Sequence, residues 1–101
     1  NAVGNWSKTL SFELGHLGIT VNNILPGFTE TERLNEIIKI KAEESKTNID
    51  KMANIMKTYT PAKRFAKPEE TANAIVFLAS EAASYINGVN IPVDGGRTKS
   101  L

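Results

Sequence analysis

The end of one apolar segment has residues suited to holding an amide group. Residues 19–25 are β-branched at their start and apolar at their end, and they are followed by Pro26 and Gly27. Thr29 and Thr31 come next, with neutral donors and acceptors that match an amide. Ligands of open α/β sheets bind outside the carboxyl ends of the strands. We therefore predict a ligand-positioning site at these four residues. The alternative is a strand-ending turn, after which Thr31 caps the next helix.

The residues that could act as acids, bases, nucleophiles or metal ligands do not form a catalytic or metal-binding set. The chain has no cysteine and a single histidine, which excludes a thiolate metal site and argues against a histidine one. That histidine, His16, lies between two glycines and is expected at the surface. Tyr59 and Lys63 are four residues apart, but Pro61 breaks the helix that would hold both on one face. We predict no catalytic residue and no metal ligand. Arg64 is expected to anchor its proline-bounded loop, with binding of an anionic substrate as the alternative.

The elements that position these residues alternate between helix and strand. Apolar residues at steps of three or four predict a first helix over residues 1–14, with Asn1 as a candidate N-cap. The later segments are a buried strand over 19–25, a helix over 69–79, a short strand over 89–93, a turn over 94–96 and a frayed tail over 97–101. Strands separated by helices imply parallel neighbours, and two strands are too few for an independent sheet. We expect one edge of a larger α/β fold.

Residues 29–63 form a segment of different composition. Thirteen of these 35 residues are charged, against ten of the other 66, so we expect this segment to be more solvent-exposed than the rest. One amphipathic helix is predicted over about 32–44, and a second begins near Thr47 or Asn48. Thin apolar stripes of this kind suit either a mobile cover over a site or an ordinary surface hairpin, and the residues alone leave both open. The first stripe contains Leu34, Ile37, Ile38 and Lys41, and the second contains Ile49, Met52, Ile55 and Met56.

The flanking helices are predicted to bury large apolar side chains. Trp6 falls on the stripe of the first helix and is expected in the core or at a subunit interface. The last helix is apolar all round near its end, so it should be buried on more than one side. Its expected core-facing residues are Ala72, Ile75, Val76 and Ala79.

Composition excludes several classes of protein. Hydrophobic residues make up 41% and charged residues 23% of the 101 residues, as in an ordinary globular domain. The net charge of +1 argues against nucleic-acid binding and against attraction to an anionic membrane. The apolar runs are too short for a membrane span, and no signal peptide precedes the first helix. A cytoplasmic location is the expectation.

Several strings of residues, in order and in register, resemble one enzyme family. These are Phe12-Glu-Leu-Gly-His-Leu-Gly-Ile-Thr-Val-Asn-Asn-Ile-Leu-Pro-Gly27, Glu30-Thr31, Arg64-Phe-Ala-Lys-Pro-Glu-Glu70, Phe77-Leu-Ala-Ser80, Ala83-Ser-Tyr-Ile-Asn-Gly88 and Val93-Asp-Gly-Gly96. They are similar to the closing half of the short-chain dehydrogenases/reductases, and among these to the 3-oxoacyl-carrier-protein reductases. Only residues 36–59 lack landmarks of the family. The resemblance implies the C-terminal portion of a Rossmann-like, doubly wound parallel sheet, truncated to two strands with helices.

The resemblance also implies a function. It assigns Pro26, Gly27, Thr29 and Thr31 to binding the nicotinamide of NAD or NADP, residues 29–63 to a substrate lid, and Asp94 to a structural turn. It places the glycine-rich loop, the catalytic serine and the tyrosine–lysine pair upstream, with the lysine immediately before Asn1. The expectation is a fragment, inactive alone, of a homo-oligomeric (dimeric or tetrameric) oxidoreductase acting on a carbonyl or alcohol. The alternative is a non-catalytic truncated fragment or an oligomerisation module.

Overall fold

The computed structural model describes residues 2–99 and shows the expected alternation of helices and strands. The elements are α1 (Ala2–Leu14), β1 (Asn23–Pro26), α2 (Glu32–Glu44), α3 (Ile49–Lys57), α4 (Pro68–Leu78) and β2 (Asn90–Val93), with single 3₁₀ turns at Gly15–Leu17 and Glu81–Ala83. The proposed cap at Asn1 lies outside the described residues.

The two strands pair in parallel, as predicted, with Asn23 opposite Asn90 and Pro26 opposite Val93. The prediction of a buried strand over residues 19–25 was wrong in extent and in burial. β1 begins only at Asn23, and its residues are half-buried or exposed. Before β1, Val21 is held by one backbone and one side-chain hydrogen bond: its carbonyl accepts from the Gly88 N–H, and its N–H donates to Oδ1 of Asn87, both at 2.9 Å.

Helix α1 buries small polar residues rather than its large apolar ones. Ser7 and Ser11 are buried, whereas Trp6 is 66% exposed. Ser7 Oγ donates to Oδ1 of Asn23 at 3.0 Å, and Nδ2 of Asn87 donates to the Ser11 carbonyl at 2.9 Å. Side chains four residues apart share one helix face. The serines thus lie on the face of α1 that bonds to Asn23 and Asn87, and Trp6 lies outside the core of this chain.

The charged segment contains most of the apolar core, although a larger share of its residues is exposed than in the rest of the described chain, as its composition predicted. The buried cluster consists of Leu34, Ile38, Ala42, Met52, Met56 and Phe65. All but Phe65 come from α2 and α3, which pack against each other and keep their charges outside. Ile49 and Ile55 were predicted in this stripe but are about half exposed, at 51% and 46%. The caps agree with the sequence, since Thr31 precedes α2 and Asn48 precedes α3.

Helix α4 turns a different face to the sheet from the one predicted. The residues expected in the core, Ala72, Ile75, Val76 and Ala79, are all exposed. The half-buried residues are instead Glu70, Thr71, Ala74 and Leu78. The radius of gyration of 16.7 Å exceeds the ~13 Å of a compact domain of this size. No other part of residues 2–99 covers the apolar outer face of α4, where Ile75, Val76 and Phe77 are exposed.

Candidate functional site

The four residues predicted to form the site lie together at the carboxyl end of β1. They line one open cleft of about 350 Å³ between the end of the strand and the start of α2. The full lining is Pro26, Gly27, Phe28, Thr29, Thr31, Arg33, Leu34 and Ile37. The sequence analysis missed Phe28 and Arg33 as lining residues. Leu34 and Ile37 were assigned to the stripe of α2 but not to the cleft, although a helix that starts at Thr31 brings them there by its period.

Thr29 offers its backbone to the cleft. It forms an isolated parallel bridge with Ala66, in which the Glu30 N–H donates to the Ala66 carbonyl and the Ala66 N–H donates to the Phe28 carbonyl, both at 2.8 Å. In a parallel bridge the central residue turns its own N–H and C=O away from that partner. No hydrogen bond among residues 2–99 uses those two groups of Thr29. One donor and one acceptor thus remain at this point of the backbone.

The two threonine hydroxyls have structural partners as well. Oγ1 of Thr29 donates to the Gly27 carbonyl at 3.1 Å, which fixes the turn after β1. Oγ1 of Thr31 accepts from the Leu34 N–H at 3.2 Å, so the capping interpretation of Thr31 is confirmed. A hydroxyl that accepts one hydrogen bond still has its own proton to donate. The cap therefore leaves Thr31 able to donate to a ligand in the cleft.

Gly27 is required by packing against the turn after β2. A Cβ at Gly27 would lie 2.8 Å from both Cα and Cβ of Asp94, a distance that real Cβ atoms essentially never show. Asp94 in turn organises that turn, because its carboxylate accepts from the Thr98 N–H at 2.9 Å and the Gly96 N–H at 3.0 Å. These hydrogen bonds, those from Thr98 above all, lower the pKa of Asp94. The structural role expected for Asp94 agrees with this geometry.

Aromatic and cationic side chains pack together where the segment that contains α2 and α3 joins the rest of the chain. The rings of Phe28 and Phe65 meet edge to face with centroids 6.1 Å apart. The Arg97 guanidinium lies 4.3 Å from the Phe28 ring centroid, and Nζ of Lys57 lies 5.3 Å from that of Phe65. The expectation that the tail frays from residue 97 was therefore wrong for Arg97. Nothing in the local sequence marked it, because Phe28 is distant in the chain.

Arg64 anchors its loop, as predicted. Its guanidinium donates to both carboxylate oxygens of Glu70, at 2.7 and 2.9 Å, and to the Phe65 carbonyl. The same carboxylate accepts from the Lys67 N–H at the start of α4. The hydrogen bonds from Arg64 and Lys67 lower the pKa of Glu70 to about 2. Arg64 is thus already paired and is not available to an anionic substrate.

The described residues contain no Tyr–Lys pair poised for proton transfer. Nζ of Lys63 donates to the Thr58 carbonyl at 3.0 Å, and the φ of Lys63 is 59°. Residues 59–63 therefore form a turn and not the helix that such a pair needs. His16 is exposed, as expected. Across residues 2–99, no three histidine, aspartate or glutamate side chains are grouped so as to hold a metal ion.

Comparison with known proteins identifies the fold and the family. A family model described as enoyl-(acyl carrier protein) reductase matches residues 1–98. The chain belongs to the short-chain dehydrogenase/reductase family. The resemblance seen in the sequence motifs is thus confirmed, and with it the Rossmann-type α/β fold class.

Individual relatives agree. The chain is 39% identical to the NADPH-dependent reductase BacG of Bacillus subtilis over 99% of its own length and 39% of that protein's. It is 38% identical to the 3-oxoacyl-[acyl-carrier-protein] reductase FabG of Buchnera aphidicola, over 88% of this chain and 32% of the relative. A short chain dehydrogenase family protein from Francisella tularensis superposes with a TM-score of 0.92 at 29% identity, covering 98% of this chain and 41% of the other. The chain thus spans about two fifths or less of each of these relatives.

No helix among residues 2–99 is both long enough and apolar enough to cross a membrane. The longest helices, α1 and α2, have 13 residues each, against the ~20 that a membrane-spanning helix needs.

Proposed function

We propose that this chain is the C-terminal part of an NAD(P)-dependent oxidoreductase, in which it positions the nicotinamide ring and covers the substrate. The reaction is hydride transfer between the nicotinamide and a carbonyl or alcohol. The observation that carries the proposal is the cleft at the end of β1, where Thr29 turns an unused N–H and C=O away from Ala66. Similar proteins that are NADPH-dependent reductases, or reductases solved in complex with NADPH, support the same cofactor class.

The donor set of the cleft fits a carboxamide. A primary amide presents one carbonyl acceptor and an NH₂ donor, and the backbone N–H and C=O of Thr29 are their complements. The free proton of the Thr31 hydroxyl adds a further donor. When bound, the cofactor supplies the hydride; the residues of this chain orient the ring and do not break bonds. Orientation fixes which ring face meets the substrate, a contribution of position rather than of acid–base chemistry.

Proton transfer has to come from outside this chain. The described residues contain no paired tyrosine and lysine, and the chain spans 39% of its relative BacG. The family resemblance places the serine, tyrosine and lysine in the preceding sequence. We therefore propose that the 101-residue chain alone has no dehydrogenase activity. Turnover of NADH or NADPH by the pure chain with a carbonyl substrate would contradict this.

Residues 29–63 are proposed to act as the lid over the substrate. Five of the six buried core residues lie on α2 and α3, so the segment can move as a unit and keep most of its core. Its base is tied down by the bridge between Thr29 and Ala66 and by the contact of Phe28 with Phe65. A cover that is internally packed and attached at one end suits closure over a ligand. A static surface hairpin is the competing interpretation.

We further propose that the complete protein is a homo-oligomer. Large apolar side chains are exposed on the outer faces of α1 and α4: Trp6, Phe12, Ile75, Val76 and Phe77. Apolar faces of this size in a soluble protein are covered by other protein, either by the rest of the same fold or by a second copy. Light scattering of the complete protein tests this, and a monomer at micromolar concentration refutes it.

The rival function, a non-catalytic fragment or an oligomerisation module, has the same exposed faces but needs no cofactor. NADPH titration of the complete protein separates the two. Binding that is weakened by Thr31→Ala and followed by oxidation of NADPH with a carbonyl substrate supports the oxidoreductase. Absence of any NADPH binding, in a protein that still associates, supports the rival.

A further inference from the structure

The cleft at the end of β1 has a charged residue on its rim that the nicotinamide site does not use. Arg33 lines the cleft together with the four proposed site residues. Its side chain is exposed and makes no hydrogen bond, ion pair or ring contact with any residue of the part described, residues 2–99. A guanidinium at the rim of a cleft with no protein partner is available to a ligand.

The other two arginines show what a structural arginine looks like in this fold. Arg64 makes a bidentate pair with Glu70 and also donates to a backbone carbonyl. Arg97 lies over the ring of Phe28. Each of these side chains holds two parts of the chain together, whereas Arg33 holds none.

The position of Arg33 in its helix is also unfavourable for the helix itself. It is the second residue of α2, and a positive charge in the first turn opposes the positive end of the helix dipole. Glu32, the first residue, is the kind of side chain that such a position favours. A structural reason for arginine at this site is therefore missing.

We propose that Arg33 binds an anionic oxygen group, a phosphate or a carboxylate, of a ligand whose amide lies at Thr29 and Thr31. This inference rests on the proposed function. A guanidinium presents parallel N–H donors that match the two oxygens of such groups. Two sources supply that chemistry: the diphosphate of the dinucleotide, or a carboxylate on the substrate. The same cleft then recognises a neutral amide at its floor and a negative charge at its rim.

The test compares Arg33→Gln with Lys39→Gln in the complete protein. Both remove one positive charge from an exposed position of α2, but Lys39 lies outside this cleft. NADPH affinity is measured by fluorescence titration, and turnover is compared between acetoacetate and its neutral ethyl ester. Arg33→Lys keeps the positive charge but lacks the parallel N–H donors of the guanidinium, so its effect on affinity and turnover should be intermediate.

A loss of about tenfold or more in NADPH affinity, confined to the Arg33 variants, identifies the dinucleotide phosphates as the ligand. Unchanged NADPH affinity with a similar loss for acetoacetate, but not for the ester, identifies a substrate carboxylate. Either effect should occur with no decrease in melting temperature, because Arg33 has no structural partner among residues 2–99.

Three results overturn the inference. The first is that Arg33→Gln changes neither NADPH affinity nor the relative use of the two substrates, which includes the case in which the enzyme uses neither substrate. The second is an equal effect of Lys39→Gln, and the third is a loss of affinity or turnover that is explained by unfolding of the variant. Thr31→Ala, measured alongside, separates this failure from that of the proposed function. If Thr31→Ala weakens NADPH binding, and Arg33→Gln changes neither NADPH affinity nor the use of acetoacetate relative to its ester, only the role of Arg33 is lost.

Discussion

The Thr31 hydroxyl caps α2 and is proposed to donate to the cofactor. Replacing Thr31 by alanine separates these two roles if a control variant loses a helix cap at another position. Oγ1 of Thr31 caps α2 by accepting from Leu34, and Oδ1 of Asn48 caps α3 by accepting from Lys51 at 2.8 Å. Removing either cap should destabilise the complete protein by about 1 kcal/mol. Asn48 lies outside the cleft at the end of β1, so Asn48→Ala serves as the control for lost capping.

Cofactor affinity should distinguish the two variants. If Thr31 binds the cofactor as proposed, Thr31→Ala also removes a neutral hydrogen bond to the carboxamide, worth about 1–1.5 kcal/mol, which corresponds to a loss of roughly five- to twelvefold in NADPH affinity. Thr31→Ser retains both the cap and the donor and should be close to the wild type. Thermal unfolding reports the cap and fluorescence titration reports the affinity.

The reasoning is refuted if Thr31→Ala lowers the melting temperature as Asn48→Ala does but leaves NADPH affinity unchanged. The hydroxyl would then be a cap and nothing more. An equal loss of affinity in both variants would show that the effect comes from a destabilised lid and not from a contact.

Three further predictions concern packing, charge and motion. Gly27→Ala should lower the free energy of unfolding by about 1–3 kcal/mol, because the new Cβ would lie 2.8 Å from Cα of Asp94. In the control Gly18→Ala, the new Cβ meets nothing within 4 Å, so the loss should be only the ~1 kcal/mol of the positive φ. Urea unfolding measures both variants. The pKa of Glu70 is about 2 in the folded protein, against an ordinary value of 4.5. Its carboxylate therefore stabilises the folded state fully above pH 4.5, and this stabilisation is lost as the pH falls towards 2. The free energy of unfolding of Glu70→Gln should lack this dependence on pH, which acid unfolding measures. Hydrogen exchange over residues 30–60 should slow when NADPH and substrate bind; equal protection would indicate a static hairpin.

Local features of the fold could be predicted from the sequence because their causes lie within a few residues. Helix α2 runs over the predicted 32–44, with a capping threonine before it. The start of α3 follows its Asn48 cap. The alternation of helix and strand implied parallel pairing, which the register confirms. The site residues also belong to one short stretch after a strand, so their meeting in one cleft required no long-range information.

The choice of buried face was decided only in three dimensions. The apolar stripe of α1 predicted Trp6 in the core or at a subunit interface, and the core alternative was wrong, because Ser7 and Ser11 are the residues that bond to Asn23 and Asn87. Residues 29–63 are mostly exposed, as their charged composition predicted, but two thin apolar stripes that face each other also form most of the core of this chain. Composition counts the charges but does not say on which side of a helix they lie.

The sequence by itself therefore determined the family, the order of the elements and four of the eight residues that line the cleft. The tertiary structure alone decided why Gly27 must be glycine, since the close neighbour is Asp94, and why the tail is ordered at Arg97, since its partner is Phe28. Both contacts join residues nearly 70 positions apart, across the parallel pairing of β1 with β2. A period of 3.6 or 2 describes neighbours along one element. It contains no information on which distant residue the fold brings against it.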